Sequence, residues 1–259
     1  MIIQTQINNK TYHVDLSKPI DISIPIGDVK CFYAPDIDMQ PFESGDFVGA
    51  VKKGAPVNFF NVHFNPHGNG THTECLGHIT AEQESVNENL KQYHFPCFLV
   101  TVPLVKTENE DMLISLDELQ NSLPVKIPAG IVIRTSPNTP TKQTADYSGT
   151  NPPYLEAEAM KFLVEHGVQH LLIDTPSVDR EEDDGILASH HIFWGLSEDG
   201  SPYDTSRKNC TITELIYVPN EVKDGHYLLN LQIAPFNLDA SPSKPVLFAL
   251  ESKLNGNKR

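Results

Sequence analysis

Apolar and polar residues alternate along Tyr12–Leu16 and again along Pro19–Pro25, the period of two expected of strands with one buried face, so residues 1 to 26 are expected to pair as short strands. Residues 35 to 56 are rich in proline, glycine and acids and predict an excursion over the surface. The polar segment Glu82–Tyr93 has room for a short helix, and Cys97–Leu104 is a mostly apolar run of strand length. Ser115 precedes Leu116 with Glu118 three residues on, a cap that predicts a short helix. Gly130–Thr135 and Val168–Asp174 read as strands. Between them Asn151 caps a helix, Pro152 fits its first turn, Leu155, Ala159, Phe162 and Leu163 form its apolar stripe, and Gly167 stops it. Strand, helix, strand at this length is a βαβ unit, whose strands run parallel with a right-handed crossover. Cys210–Val218, Gly225–Leu231 and Lys244–Leu250 read as later strands. There is no repeat, low-complexity tract or break in composition, so residues 1–259 are expected to form a single α/β domain.

Composition narrows the function classes. The chain has 34 acids against 19 bases, a formal net charge of −15, which argues against a nucleic-acid surface built of clustered Lys and Arg. Cys31, Cys75, Cys97 and Cys210 are scattered without a C-x-x-C pair, as free thiols in a reducing compartment would be. No apolar run approaches membrane-spanning length, and the first residues carry neither a basic nor an apolar targeting signature. The expectation is a cytoplasmic protein with no membrane partner.

The densest chemistry lies in Asn61–His78, which holds four of the eleven histidines: His63, His67, His72 and His78. Asn61–Asn65 alternates as a strand with one buried face; Pro66, Gly68 and Gly70 then end regular pairing. His72 and Glu74, two apart, point to the same side of an extended chain. An imidazole and a carboxylate on one side, with further imidazoles from the turns, suit a divalent cation. His78 is either a fourth ligand or a metal-free acid/base group. A second signal stands far along the chain. In Cys210–Val218 the alternation puts Glu214 on the face of Cys210, Ile212, Ile216 and Val218, where an unpaired buried carboxylate costs several kcal/mol. A cation resolves that conflict; the alternative is a solvent-facing side, with Leu215 and Tyr217 defining the core.

Gly70-Thr71-His72-Thr73-Glu74 through His78 resembles the H-x-G-T-H-x-D-x-P-x-H signature of the cyclase family of metal-dependent hydrolases, which includes kynurenine formamidases and isatin hydrolases. Gly70, Thr71, His72 and His78 match in register. Glu74 replaces the family aspartate and Leu76 the proline. The family's first histidine would fall at Gly68; this chain offers His67, one residue earlier, a displacement that a bulge accommodates. Asp174–Asp179 is similar to the family's D-x-P-S-x-D stretch, and the histidine that follows corresponds to His190 or its neighbour His191. The resemblance also implies a metal-binding glutamate at Glu214, with an insertion at Ser197–Lys208 looping out. It implies closing strands in which lysine replaces the family arginine, and a pocket aromatic after Asp21-Ile22-Ser23, for which Phe32 and Tyr33 are the candidates.

The fold so implied is a mixed, β-barrel-like sheet flanked by helices. The activity implied is hydrolysis of a small carbonyl substrate, an arylformamide, cyclic amide or lactone. One or two Zn²⁺ or Mn²⁺ ions would be held by His67, His72, Glu74, His190 and Glu214: Glu74 would bridge, His67 and His72 would serve the first ion, His190 and Glu214 the second. His78 would shuttle the proton. Homodimers or homotetramers are the assemblies implied. The rival reading is a catalytically silent binding protein on the same scaffold, motivated by the departures at His67, Glu74 and Leu76. A cupin barrel lacks its H-x-H core here, and a thiol enzyme at Cys75 lacks a base.

Overall fold

Gly130–Ser136 and His170–Ile173 lie side by side in parallel, Gly130 opposite His170 and Ile133 opposite Ile173, with the helix Ala157–Glu165 between them in sequence. The βαβ reading of the sequence therefore holds. The computed structural model describes residues 1–7, 9–197, 201 and 204–252. Its central feature is a nine-stranded sheet in the spatial order Ala240–Pro242, His72–Glu74, Thr211–Glu214, His170–Ile173, Gly130–Ser136, His94–Pro103, Gly225–Asn230, Val246–Ala249 and Ile20–Asp21. The four strands from Thr211–Glu214 to His94–Pro103 are parallel, and the flanks on both sides pair antiparallel.

The middle strands are apolar on both faces because both faces are covered. Val100, Val102, Ile131, Ile133, Leu171 and Ile173 pack with residues of the helices, including Leu119, Met160, Leu163 and Phe193. Leu99, Val132 and Leu172 point the other way and meet Leu229 and Leu247 from the antiparallel flank. The sheet thus curls on itself as a half-barrel, with helices on its outer face. Each fully buried leucine contributes about 1.5–3 kcal/mol.

Local signals set most element ends. The Ser115 hydroxyl accepts the Glu118 N–H at 3.3 Å at the start of the helix Leu116–Ser122. Gly167, at φ 79°, supplies the left-handed residue after the helix Ala157–Glu165. Glu82–Tyr93 contains one short helix, Val86–Asn89. Residues 35 to 56 form the expected excursion, with short strands at Asp38–Pro41, Glu43–Ser44 and Phe47–Val48 and a 3-10 turn at Val51–Lys53.

Several elements differ from their sequence pattern. The crossover helix does not start at an Asn151 cap. Asn151 is left-handed at φ 50°, its Nδ2 donates to Asp111 Oδ1 at 2.6 Å, and Tyr154–Leu155 pairs with Leu113–Ile114 as a parallel strand. Those contacts use the groups a helix start would have left free, so the helix begins only at Ala157. Phe60–His63 is a strand, but both its faces are exposed, because it pairs only with Asp38–Pro41 in a two-stranded ribbon. The expected buried face is absent. The strand read as Cys210–Val218 ends at Glu214: Leu215, at φ 54°, breaks the alternation and packs with Ile24, Val29 and Cys31, while Ile216 and Val218 join another cluster. Near the start, Ile2–Ile7 pairs with Lys10–Asp15, and the Pro19–Pro25 pattern yields only Ile20–Asp21 at the sheet edge. The expected Ser197–Lys208 insertion lies partly outside the described residues, but Arg207 within it is buried and donates to the carbonyls of Phe193 and Val168.

Candidate metal centre

The strand pair His72–Glu74 and Thr211–Glu214 is the floor of the site. Its register sets His72 opposite Glu214 and Thr73 opposite Thr213. Period two then sends His72 and Glu74 to one side, while the Thr73 hydroxyl meets that of Thr213 at 2.8 Å on the other. Thr71 locks the edge: its hydroxyl donates to the Leu215 carbonyl and accepts the Ile24 N–H at 2.7 Å.

Other elements bring the remaining groups. His67 sits in the loop before this strand, pressed against residues 31 to 34; a Cβ at Gly68 would come within 2.3 Å of the Ala34 methyl, so glycine alone permits that approach. His78 ends the 3-10 turn Leu76–His78. His190 lies in the helix Ala188–Trp194 and Asp239 immediately before the edge strand Ala240–Pro242.

The ring nitrogens and carboxylate oxygens converge. His190 Nε2 is 3.1 Å from Glu74 Oε1 and 4.0 Å from Glu214 Oε1. His72 Nε2 is 3.4 Å from Glu214 Oε2, and His67 Nδ1 is 3.3 Å from Glu74 Oε2. His78 Nε2 lies 3.9 Å from that same Glu74 oxygen. Two sets, His67/Glu74/His78 and His72/Glu74/Glu214, offer ligand atoms within 4.8 Å of one another. This grouping differs from the expected one, since the Nε2 of His72 faces Glu214, the carboxylate assigned to the other ion. Of the neighbouring histidines, His190 is buried in the cluster, whereas His191 Nδ1 contacts the Ser197 carbonyl at 2.8 Å. His63 is exposed in the two-stranded ribbon.

Two carboxylates hold the imidazoles from behind. Asp179 Oδ2 lies 2.6 Å from His190 Nδ1, and Asp179 also accepts the N–H groups of Ser189 and His190. Asp239 Oδ2 lies 2.8 Å from His67 Nε2 and 3.2 Å from His78 Nδ1. Neither carboxylate figures among the site residues read from the sequence. Asp179 closes the D-x-P-S-x-D stretch and was open to that reading; Asp239 belongs to no pattern.

The charges respond to this crowding. Burial pushes the Glu74 carboxyl up, but His78, His190 and His67 outweigh it and hold Glu74 well below the usual range. Burial opposes a charge on His190, yet Asp179 and Glu74 raise it well above the ordinary imidazole value. His67, likewise disfavoured by burial, is lifted to about 10 by Asp239 and Glu74. The hydrogen bonds from His67 and His78 keep Asp239 well below the carboxylate range.

The donors fit a divalent cation. His72 Nε2 and Glu74 Oε2 are buried and have no hydrogen-bond partner, although imidazole and carboxylate groups stand within 3.3–3.9 Å of them. Such groups normally find partners, and each of these two orphaned atoms stands among imidazole and carboxylate donors that a cation would satisfy. A cavity of about 360 Å³ opens onto the cluster, walled by Phe32, His67, His78, His190, Arg180 and Glu214. Of the two aromatic candidates, Phe32 lines this cavity, while the Tyr33 side chain is largely exposed with its hydroxyl beside Gly149. Cys75 is buried and its thiol donates to the Glu84 carbonyl; burial pushes it up to about 11, unsuited to a nucleophile.

The Cyclase family model matches residues 14–180. A kynurenine formamidase from Bacillus cereus is 26% identical over 238 residues, covering 90% of this chain and 96% of the relative. Isatin hydrolase A from Labrenzia aggregata, solved with benzyl benzoate, has a TM-score of 0.63 at 15% identity, covering 90% of this chain and 94% of that one. A protein described as a potential metal-dependent hydrolase with cyclase activity gives a TM-score of 0.61 at 14% identity, over 89% and 97% of the two chains.

Proposed function

Since this chain belongs to the cyclase family of metal-dependent hydrolases, we propose that it hydrolyses a small carbonyl compound at a C–N bond, an arylformamide or cyclic amide, with a lactone as the oxygen counterpart. The observation that carries the reading is the convergence of the orphaned His72 Nε2 and Glu74 Oε2 with His67, His190 and Glu214 beside an open cavity. His67, His72, Glu74, His190 and Glu214 would hold one or two divalent cations, Zn²⁺ or Mn²⁺ by the character of the donors. A cation there polarises a carbonyl and lowers the pKa of water from about 15.7 to about 7.

The chain's own residues supply the rest. Glu74 belongs to both donor sets and would be the carboxylate shared between two cations. His78, exposed at the cavity wall, has Nε2 directed at the Glu74 side; there it takes a proton from the attacking water and returns it to the leaving nitrogen or oxygen. Phe32 offers an apolar wall to an aryl group.

Among the described residues no helix is long and apolar enough to cross a membrane. The four cysteines are free and buried, in keeping with a cytoplasmic setting. The exposed apolar side chains Met39, Phe59, Phe60 and Val62 support association as a homodimer or homotetramer. Metal content and turnover of a panel of arylformamides, cyclic amides and lactones test the activity on wild type and His72→Ala. The wild type is expected to retain metal and turn over, and His72→Ala to lose both. A well-folded wild type that takes up neither Zn²⁺ nor Mn²⁺ would refute the proposal.

A further inference from the structure

His67 and His78 stack at a centroid distance of 4.2 Å with their planes 30° apart, and one carboxylate oxygen, Asp239 Oδ2, reaches a nitrogen of each. The contacts use opposite nitrogens: Nε2 of His67 at 2.8 Å and Nδ1 of His78 at 3.2 Å. The nitrogens left over, Nδ1 of His67 and Nε2 of His78, are therefore the two that face the same oxygen of Glu74. Asp239 stands 172 residues from His67 and 161 from His78, so the fold, not local chain geometry, makes this arrangement.

From this geometry we propose that Asp239 is the positioning residue of the centre: one carboxylate oxygen that fixes the tautomer and orientation of a metal-side imidazole, His67, and of the proton-carrying imidazole, His78. The inference rests on the hydrolase reading above. Accepting Nε2–H from His67 leaves the Nδ1 lone pair free for a cation. Accepting Nδ1–H from His78 leaves its Nε2 lone pair free to take a proton on the Glu74 side. A carboxylate behind an imidazole is the usual means of fixing both a metal ligand and a general base, and here one group serves two rings. The Asp239 backbone is tied separately, its carbonyl accepting the Cys75 N–H at 3.0 Å, so truncating the side chain leaves the strand edge anchored.

Asp239→Ala in the zinc-loaded protein tests this with two readouts that need no substrate. Zinc affinity, measured against a competing chelator, is expected to weaken by about 10–100-fold. Long-range ¹H–¹⁵N NMR of the imidazoles is expected to show His78 as the Nδ1–H tautomer in wild type and as a mixture in the variant. If the variant fails to fold, as judged by circular dichroism, Asp239→Asn takes its place with the same expectations for both readouts. Affinity within threefold of wild type, or an unchanged His78 tautomer, overturns the proposal. Wild type that binds zinc with His78 in the Nδ1–H form but hydrolyses nothing would instead count against the hydrolase reading while sustaining the role of Asp239.

Discussion

His190 Nε2 stands 3.1 Å from Glu74 Oε1, although 116 residues separate them in the chain. The helix Ala188–Trp194 carries the imidazole and the second strand of the sheet carries the carboxylate, so this contact joins the two halves of the centre. Asp179 fixes the back of the ring and leaves Nε2 as the nitrogen presented to Glu74. Glu74→Gln keeps shape and volume but sets an amide where a carboxylate faces imidazoles on several sides. We expect its affinity for Zn²⁺ or Mn²⁺ to fall by at least about 100-fold, since a first ligand should matter no less than the outer contacts that cost 10–100-fold. Binding titrations would refute this with a Glu74→Gln affinity within tenfold of wild type.

The two histidines that match the signature in register should separate by phenotype. His72 is buried with an orphaned Nε2, whereas His78 is exposed on the cavity wall. His72→Ala is expected to lose metal. His78→Ala is expected to keep metal at saturating concentration yet lose about 10²–10⁴-fold in kcat, the usual contribution of a positioned acid/base group. Single-turnover assays with metal analysis would decide it, and a His78→Ala enzyme with undiminished kcat would remove His78 from the chemistry.

Protons compete with metal at this centre, which gives the metal-free protein a particular pH profile. His67 is raised from 6.5 to about 10, so its protonated form is favoured by folding. That contribution is fully present below about pH 6.5 and is lost as pH rises through about 10. Asp239 is depressed from 3.8, so its contribution is present above pH 4 and lost as pH falls further. Chelator-treated protein is therefore expected to melt highest between about pH 4.5 and 6.5 and to lose Tm towards pH 10. Zinc, by displacing those protons, should flatten the alkaline decline. A metal-free Tm that rises from pH 6.5 to 10 would contradict this account.

What the sequence made legible was chemistry that obeys a period. His72 and Glu74, two apart on a strand, lie on one side as alternation requires, and the misfit carboxylate in Cys210–Val218 pointed to Glu214. The βαβ unit was readable because its strands and crossover helix each carry a dense apolar pattern. Where tertiary contacts override local preference, the reading failed. Asn151 has the look of a helix cap but spends its side chain on Asp111, and Asn61–Asn65 alternates without any core beneath it. Leu215 turns left-handed just past Glu214, so the alternation breaks there and Ile216 and Leu215 are each buried, in different clusters. Asp239 had no signal, since a lone aspartate between Leu238 and Ala240 acquires meaning only from rings 161 and 172 residues away.

Asp174 shows a motif residue put to structural use. It closes the strand His170–Ile173, but its Oδ2 accepts from Lys142 Nζ at 2.8 Å and from the Thr135 N–H at 2.9 Å, away from the metal cluster. Burial pushes its carboxyl up, and Lys142, reaching in from the loop after Ser136, opposes that push. Removing one partner of a buried pair leaves an uncompensated charge and costs about 3–5 kcal/mol. Lys142→Met is therefore expected to destabilise the fold by that amount at pH 8. The loss should shrink at pH 5, because a carboxyl with a raised folded-state pKa takes up a proton and its penalty is relieved as pH falls. Urea unfolding at both pH values measures this. A loss under about 1 kcal/mol at pH 8, typical of a surface pair, would show that Lys142 and Asp174 are not coupled through the interior.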